Sequence, residues 1–260
     1  VRDPTIHQYQ AKFRESCFFA SGGTVGSLQD LFMPPSMHSY LFNHIPKTGG
    51  TTLRKALAEW FEVVDDYAVG WNPSRKPKDP VRFGDLGQNQ IVMGHYCTPG
   101  RFLDERYPGI FGDPSIRLIS VVREPLELSI SHYRFVVRKG KNEDNLSLEE
   151  HILRHRNIQA RFLNCTEANL EERLSDYYFI GCQELLQDSF DLLAEDLGKP
   201  PLKLSEYSRN IAPSCEPKPE VEPKVLEQYL EQNSIDYALH RKVRKKIEAR
   251  LNQPKFKGDA

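Results

Sequence analysis

The chain has 260 residues, 39% of them hydrophobic and 10% aromatic, with 35 Lys+Arg set against 36 Asp+Glu. That length fits one α/β domain whose core is large enough to fold without a metal or disulfide staple. The formal charge of −1 excludes a uniformly basic nucleic-acid binder, the composition excludes wholesale disorder, and no apolar run reaches the roughly 20 residues of a membrane helix.

In chain order, residues 1–38 read as an N-terminal extension broken by Gly22-Gly23 and Pro34-Pro35. The first strong strand runs from Ser39 to Ile45 and stops at Pro46. A Gly49-Gly50 turn follows, and Leu53, Leu57, Trp60 and Phe61 then repeat at helical spacing over 51–61. Residues 72–90 form a polar loop rich in Pro, Lys, Asp and Gly. Three further short apolar runs behave as strands: Ile91–Met93 ending at Gly94-His95, Leu118–Val122 ending at Arg123-Glu124-Pro125, and Tyr178–Ile180 ending at Gly181. Helical patterns cover 126–137 and 184–197, and a basic helix spans 235–251 beyond the prolines of 213–223. Strands alternating with helices predict an α/β, P-loop-like three-layer fold with a central parallel sheet. One domain is expected over 39–252, with a tail at 253–260. In such sheets ligands sit at the carboxyl ends of the strands. The polar ends at Lys47, His95 and Arg123 should therefore meet in one crevice.

The most specific segment is Pro46-Lys47-Thr48-Gly49-Gly50-Thr51-Thr52. Glycines let backbone N–H groups close around an anion, the following helix N-terminus adds partial positive charge, and Lys47 adds a full one. The threonines at 48, 51 and 52 can donate hydroxyl hydrogen bonds. The lysine precedes the glycines, whereas a Walker loop places it directly after the last one, so the spacing does not suit an ATP or GTP γ-phosphate. A second anion site is suggested by Arg123 at a strand end, where its fork can grip a phosphate, with Ser131 two helical turns on.

Together these two elements resemble the sulfotransferases that use 3′-phosphoadenosine 5′-phosphosulfate (PAPS). The text from Val122-Arg123-Glu124-Pro125 through Tyr133-Arg134, then Arg138-Lys139-Gly140, is most similar to carbohydrate O-sulfotransferases of the heparan 6-O and 2-O type. The resemblance covers about residues 40–245. It implies that Lys47, Thr48, Gly49, Gly50, Thr51 and Thr52 hold the 5′-phosphosulfate, and that Arg123 and Ser131 hold the 3′-phosphate. Arg209, Asn210 and Ser214 would lie in a loop over the nucleotide. No metal is required in that family, and the product is 3′-phosphoadenosine 5′-phosphate (PAP). Lys47 would stabilise the leaving phosphate.

An acceptor hydroxyl must lose a proton as it attacks sulfur, and an imidazole suits that task. His95, at a strand end after Gly94, is the expected general base, matching the strand-end histidine of the relatives; Asp66 is the carboxylate alternative. Arg101, Arg106, Arg134, Arg138, Lys139 and Lys141 can line a groove for an anionic sugar, or serve as solvated charges. The expected partner is a hydroxyl acceptor of carbohydrate type, not a nucleic acid. A kinase with a divergent phosphate loop and an inactive nucleotide- or glycan-binding module are the rival readings. The cysteines at 17, 97, 165, 182 and 215 form no C-x-x-C pair, which argues against a zinc cluster and fits a reducing compartment or one incidental bridge. A cytoplasmic location is expected if the protein is bacterial, and the Golgi lumen if an anchor preceded Val1.

Overall fold

A computed structural model describes residues 38–66, 79–97, 102–142, 144–207 and 219–253. Five strands form one all-parallel sheet in the order β2-β3-β1-β4-β5. They are β1 (Ser39–Asn43), β2 (Glu62–Asp65), β3 (Gln90–Gly94), β4 (Ile116–Val122) and β5 (Tyr177–Cys182). The three inner strands are almost wholly apolar and buried, as expected where helices cover both faces of a parallel sheet.

The helices are α1 (Gly50–Leu57), α2 (Leu103–Arg106), α3 (Pro125–Arg138), α4 (Leu148–Arg154), α5 (Ile158–Phe162), α6 (Leu170–Asp176), α7 (Leu186–Leu197), α8 (Pro223–Gln232) and α9 (Ser234–Leu251). On one face, Phe42, Ile119, Val121 and Phe179 meet Leu53 and Leu57 of α1 and Leu186, Phe190 and Leu193 of α7. Opposite-facing residues of the same strands meet α5 and α9: Asn43 donates to the Phe162 carbonyl (2.6 Å), and Cys182 faces His240. This is the expected three-layer α/β arrangement.

The four strands read from the sequence are present. The fifth, β2, is not legible there, because Glu62-Val63-Val64-Asp65 is only four residues long and its ends are exposed. It pairs in register with β3, from Glu62 opposite Gln90 to Asp65 opposite Met93. Cys97, Cys165 and Cys182 are free thiols. Among the described residues, no helix is long and apolar enough to cross a membrane.

Candidate active site

The strand order puts β1 between β3 and β4, so the segments after Asn43, Gly94 and Val122 leave the sheet side by side. The His44 N–H donates to the Gly94 carbonyl (2.9 Å) and ties two of these exits together. Beyond His44 the chain turns sharply. Lys47 (φ 71°) and Gly49 (φ 89°) both adopt left-handed conformations, and α1 starts at Gly50 with no side-chain cap and no acidic residue in its first turn. The N–H groups of residues 48–51 find no acceptor among the described residues. They form the kind of concave donor array that binds an anion at a helix N-terminus.

Two details refine the expected roles. The Thr48 hydroxyl is buried and donates to the Ile45 carbonyl (2.8 Å), so it closes the turn and is not offered to a ligand. Thr51 is exposed and Thr52 half-buried. Gly50 is required by proximity: a Cβ there would lie 1.6 Å from Nε2 of His44. The His44 imidazole therefore forms the floor of the loop.

Arg123 continues directly from β4. Its guanidinium donates to the Lys47 carbonyl (3.1 Å) and lies 3.8 Å from Glu127, while its Nε is buried with no hydrogen-bond partner among the described residues. The following helix begins well: Pro125 occupies the first turn and Glu124 accepts from the Glu127 N–H (2.6 Å). The Lys47 ammonium sits over the Phe135 ring, 4.5 Å from its centroid. Residues 127, 131 and 135 recur every fourth position, so Ser131 lies on the α3 stripe that runs from Arg123's neighbour Glu127 to Lys47's neighbour Phe135. Burial, and then the charges of Arg138 and Arg123, hold the Lys47 pKa below its ordinary value. A half-buried group of cations in this state favours an incoming anion.

His95 directs Nδ1 at the His44 carbonyl oxygen, 2.7 Å away. A carbonyl can only accept, so Nδ1 carries the proton and Nε2 is left as a basic lone pair. Burial lowers the His95 pKa, against the opposing effect of that hydrogen bond. The ring lies 4.4 Å from that of His44, whose own pKa burial pulls down to about 3, with His95 and Arg54 adding to the shift. Both imidazoles are thus neutral at pH 7.

Asp66 has a different fate. Its buried carboxylate accepts from Tyr96 Oη (3.0 Å), Tyr107 Oη (2.7 Å) and Arg106 Nε (3.1 Å), with a second contact from Arg106 Nη2. It is a structural anchor between β2 and α2, not a poised base. Arg106 is likewise buried here and does not line an acceptor groove. Arg101, Arg209, Asn210 and Ser214 lie outside the described residues.

One side chain that holds the site has no sequence signal. Gln159 at the start of α5 grips the Arg123 backbone at both ends: its Oε1 accepts from the Arg123 N–H (2.8 Å), and its Nε2 donates to the Arg123 carbonyl (2.7 Å). Asp236 of α9 accepts from the N–H groups of Gln159 (3.1 Å) and Ala160 (2.7 Å), capping that helix; burial raises its pKa to about 6 against those bonds. Glu184 accepts from the Glu124 N–H (2.7 Å) and from His240 Nε2 (3.1 Å). Beside the crevice, Pro46, Cys97, Leu128, His132, Ile158, Arg161 and Phe162 line a cavity of about 270 Å³. The Phe162 ring meets that of His95 edge-on at 6.4 Å.

No family model matches the chain, and no curated protein matches it. Among solved structures, the chain is similar to a crystal structure of a sulfotransferase from Alicyclobacillus acidocaldarius, with 16% identity over 80% of this chain and 96% of that one, at a TM-score of 0.46.

Proposed function

We propose that the protein is a sulfotransferase that moves a sulfuryl group from PAPS to a hydroxyl, with a carbohydrate as the acceptor class. The observation that carries this reading is the contact of Arg123 with the Lys47 carbonyl. It joins the glycine loop to the start of α3, so that one ligand with two anionic ends can engage both. The residues fit such a ligand. The loop N–H groups, which find no acceptor among the described residues, suit the 5′-phosphosulfate, and the Arg123 guanidinium, whose buried Nε has no partner among the described residues, suits the 3′-phosphate together with Ser131.

Bound PAPS would supply the activated sulfuryl group. Around it, Nε2 of His95 takes the proton of the attacking hydroxyl, and its Nδ1–H bond to His44 keeps the ring in the accepting tautomer. Lys47 and the loop N–H groups stabilise the negative charge left on the departing phosphate. That step draws all its positive charge from the chain and calls for no metal ion. The largely apolar cavity beside Phe162 is where the acceptor enters, with Arg161 and His132 as its polar lining.

Calorimetric titration with PAP, AMP and Mg-ATP tests the reading. PAP is expected to bind at micromolar Kd, about −8 kcal/mol, and AMP far more weakly because it lacks the 3′-phosphate. Binding of Mg-ATP without PAP would overturn it in favour of a kinase. Tight PAP binding with no transfer to any hydroxyl acceptor would leave only a nucleotide-binding module.

A further inference from the structure

Three histidines that the sulfuryl-transfer reading does not use as a group come together where α3 meets α4. His132 lies on α3, His151 on α4, and His155 caps the end of α4. His151 and His155 are four residues apart, the spacing that places two side chains on one face of a helix. His132 Nδ1 and His151 Nε2 are 3.1 Å apart, and one nitrogen from each of the three rings lies within 4.8 Å of the others. His151 is buried.

The surrounding hydrogen bonds fix which nitrogen of His155 is free. Tyr229 Oη donates its proton to the Pro125 carbonyl (2.8 Å), so the contact of Tyr229 Oη with Ser129 Oγ (2.8 Å) must use the serine proton. Ser129 Oγ is then left to accept, and His155 Nδ1, 3.2 Å away, donates to it. His155 Nε2 therefore carries a lone pair. A ring locked by an outer hydrogen-bond partner in this way is the usual state of a metal-ligating histidine.

We propose that His132, His151 and His155 form a binding site for one divalent transition-metal ion of the zinc class. Two nitrogens bound to zinc at about 2.0–2.1 Å in tetrahedral geometry stand roughly 3.3 Å apart, close to the His132–His151 separation. Entry of the ion shifts the proton between this pair to the far nitrogen of the ring that holds it, so each ring stays neutral and offers one lone pair. The donors are imidazole nitrogens, which bind zinc, copper or nickel strongly and magnesium or calcium poorly. With three protein ligands among the described residues, the fourth position falls to water. The ion would fasten α3, one residue past Ser131, to the end of α4.

A second grouping, Cys182, Glu184 and His240, carries no such inference. It is closed on itself, with Glu184 accepting from both Cys182 Sγ (2.9 Å) and His240, and burial pushes the Cys182 thiol up to about 12.

The test uses the full chain stripped with a chelator and titrated with Co(II), then with Zn(II) in competition, with circular dichroism on every variant. One equivalent of Co(II) is expected to bind, with visible d–d bands and no thiolate charge-transfer band. Ser129→Ala, which removes the outer partner of His155, should weaken binding roughly 10- to 100-fold. His155→Gln should weaken it further while remaining folded, and Cys182→Ser should leave it unchanged. A folded wild-type chain that takes up neither ion would overturn the proposal. So would binding that survives His155→Gln intact, or that disappears in Cys182→Ser instead.

Discussion

His95 Nδ1 donates to the backbone carbonyl of His44 across 2.7 Å, which fixes the protonated side of one imidazole by the position of the other residue's main chain. Because burial lowers the His95 pKa, the ring is neutral and able to accept a proton throughout the neutral range. Activity should therefore hold at pH 7 and fall only on the acid side, with an apparent pKa below the 6.5 of an ordinary imidazole. His95→Ala should lower turnover about 10²–10⁴-fold and abolish the acid limb, with PAP affinity little changed. A pH–rate profile that keeps the same limb in His95→Ala would assign the base elsewhere.

The packing of His44 against Gly50 makes a second expectation. Gly50→Ala drives a methyl into a buried ring and should destabilise the fold by about 1–3 kcal/mol, the usual cost of overpacking. It should also distort the N–H array and weaken PAP. Urea unfolding together with calorimetry checks both. An unchanged urea midpoint would mean the ring moves aside at no cost.

Lys47 combines a left-handed backbone (φ 71°) with the side chain proposed to stabilise the leaving phosphate, so two substitutions separate these features. Lys47→Gly and Lys47→Ala should both lose most turnover. Since glycine alone tolerates a positive φ freely, the glycine variant should be more stable than the alanine one by about 1 kcal/mol. Equal stabilities would indicate that the loop relaxes once the side chain is gone.

For Asp66, the expectation concerns stability. Asp66→Asn leaves the buried Arg106 charge uncompensated and should cost about 3–5 kcal/mol in urea unfolding. Adding Arg106→Met should recover part of that loss, because the orphaned charge is removed as well. If Asp66→Asn were fully stable yet inactive, Asp66 would have a chemical role that its buried partners do not suggest.

The parts of the fold legible in the sequence are those written locally. Runs such as Leu118 to Val122 declare a buried strand, and Gly49-Gly50 after Pro46 declares the turn from β1 into α1, because each pattern is contiguous and is read from neighbouring residues. The parts that were not legible depend on partners distant in the chain. Asp66 looks like an exposed acid until Tyr96, Arg106 and Tyr107 fold onto it. Gln159 has no distinguishing neighbourhood, since its meaning lies wholly in the backbone of Arg123, 36 residues earlier. The histidine group was not read from the sequence, because His132 comes from α3, while His151 and His155 belong to α4. Thr48 was read as a ligand donor because the sequence does not reveal that its hydroxyl is consumed by the turn it closes.

The grip of Gln159 on Arg123, and of Asp236 on Gln159, has a consequence for the order in which the protein acquires its competence during synthesis. Domains fold as units, and these two grips tie the end of β4 to α5 and α5 to α9. The seat of Arg123 therefore exists only once the segment that carries Asp236 has been made and folded with the rest.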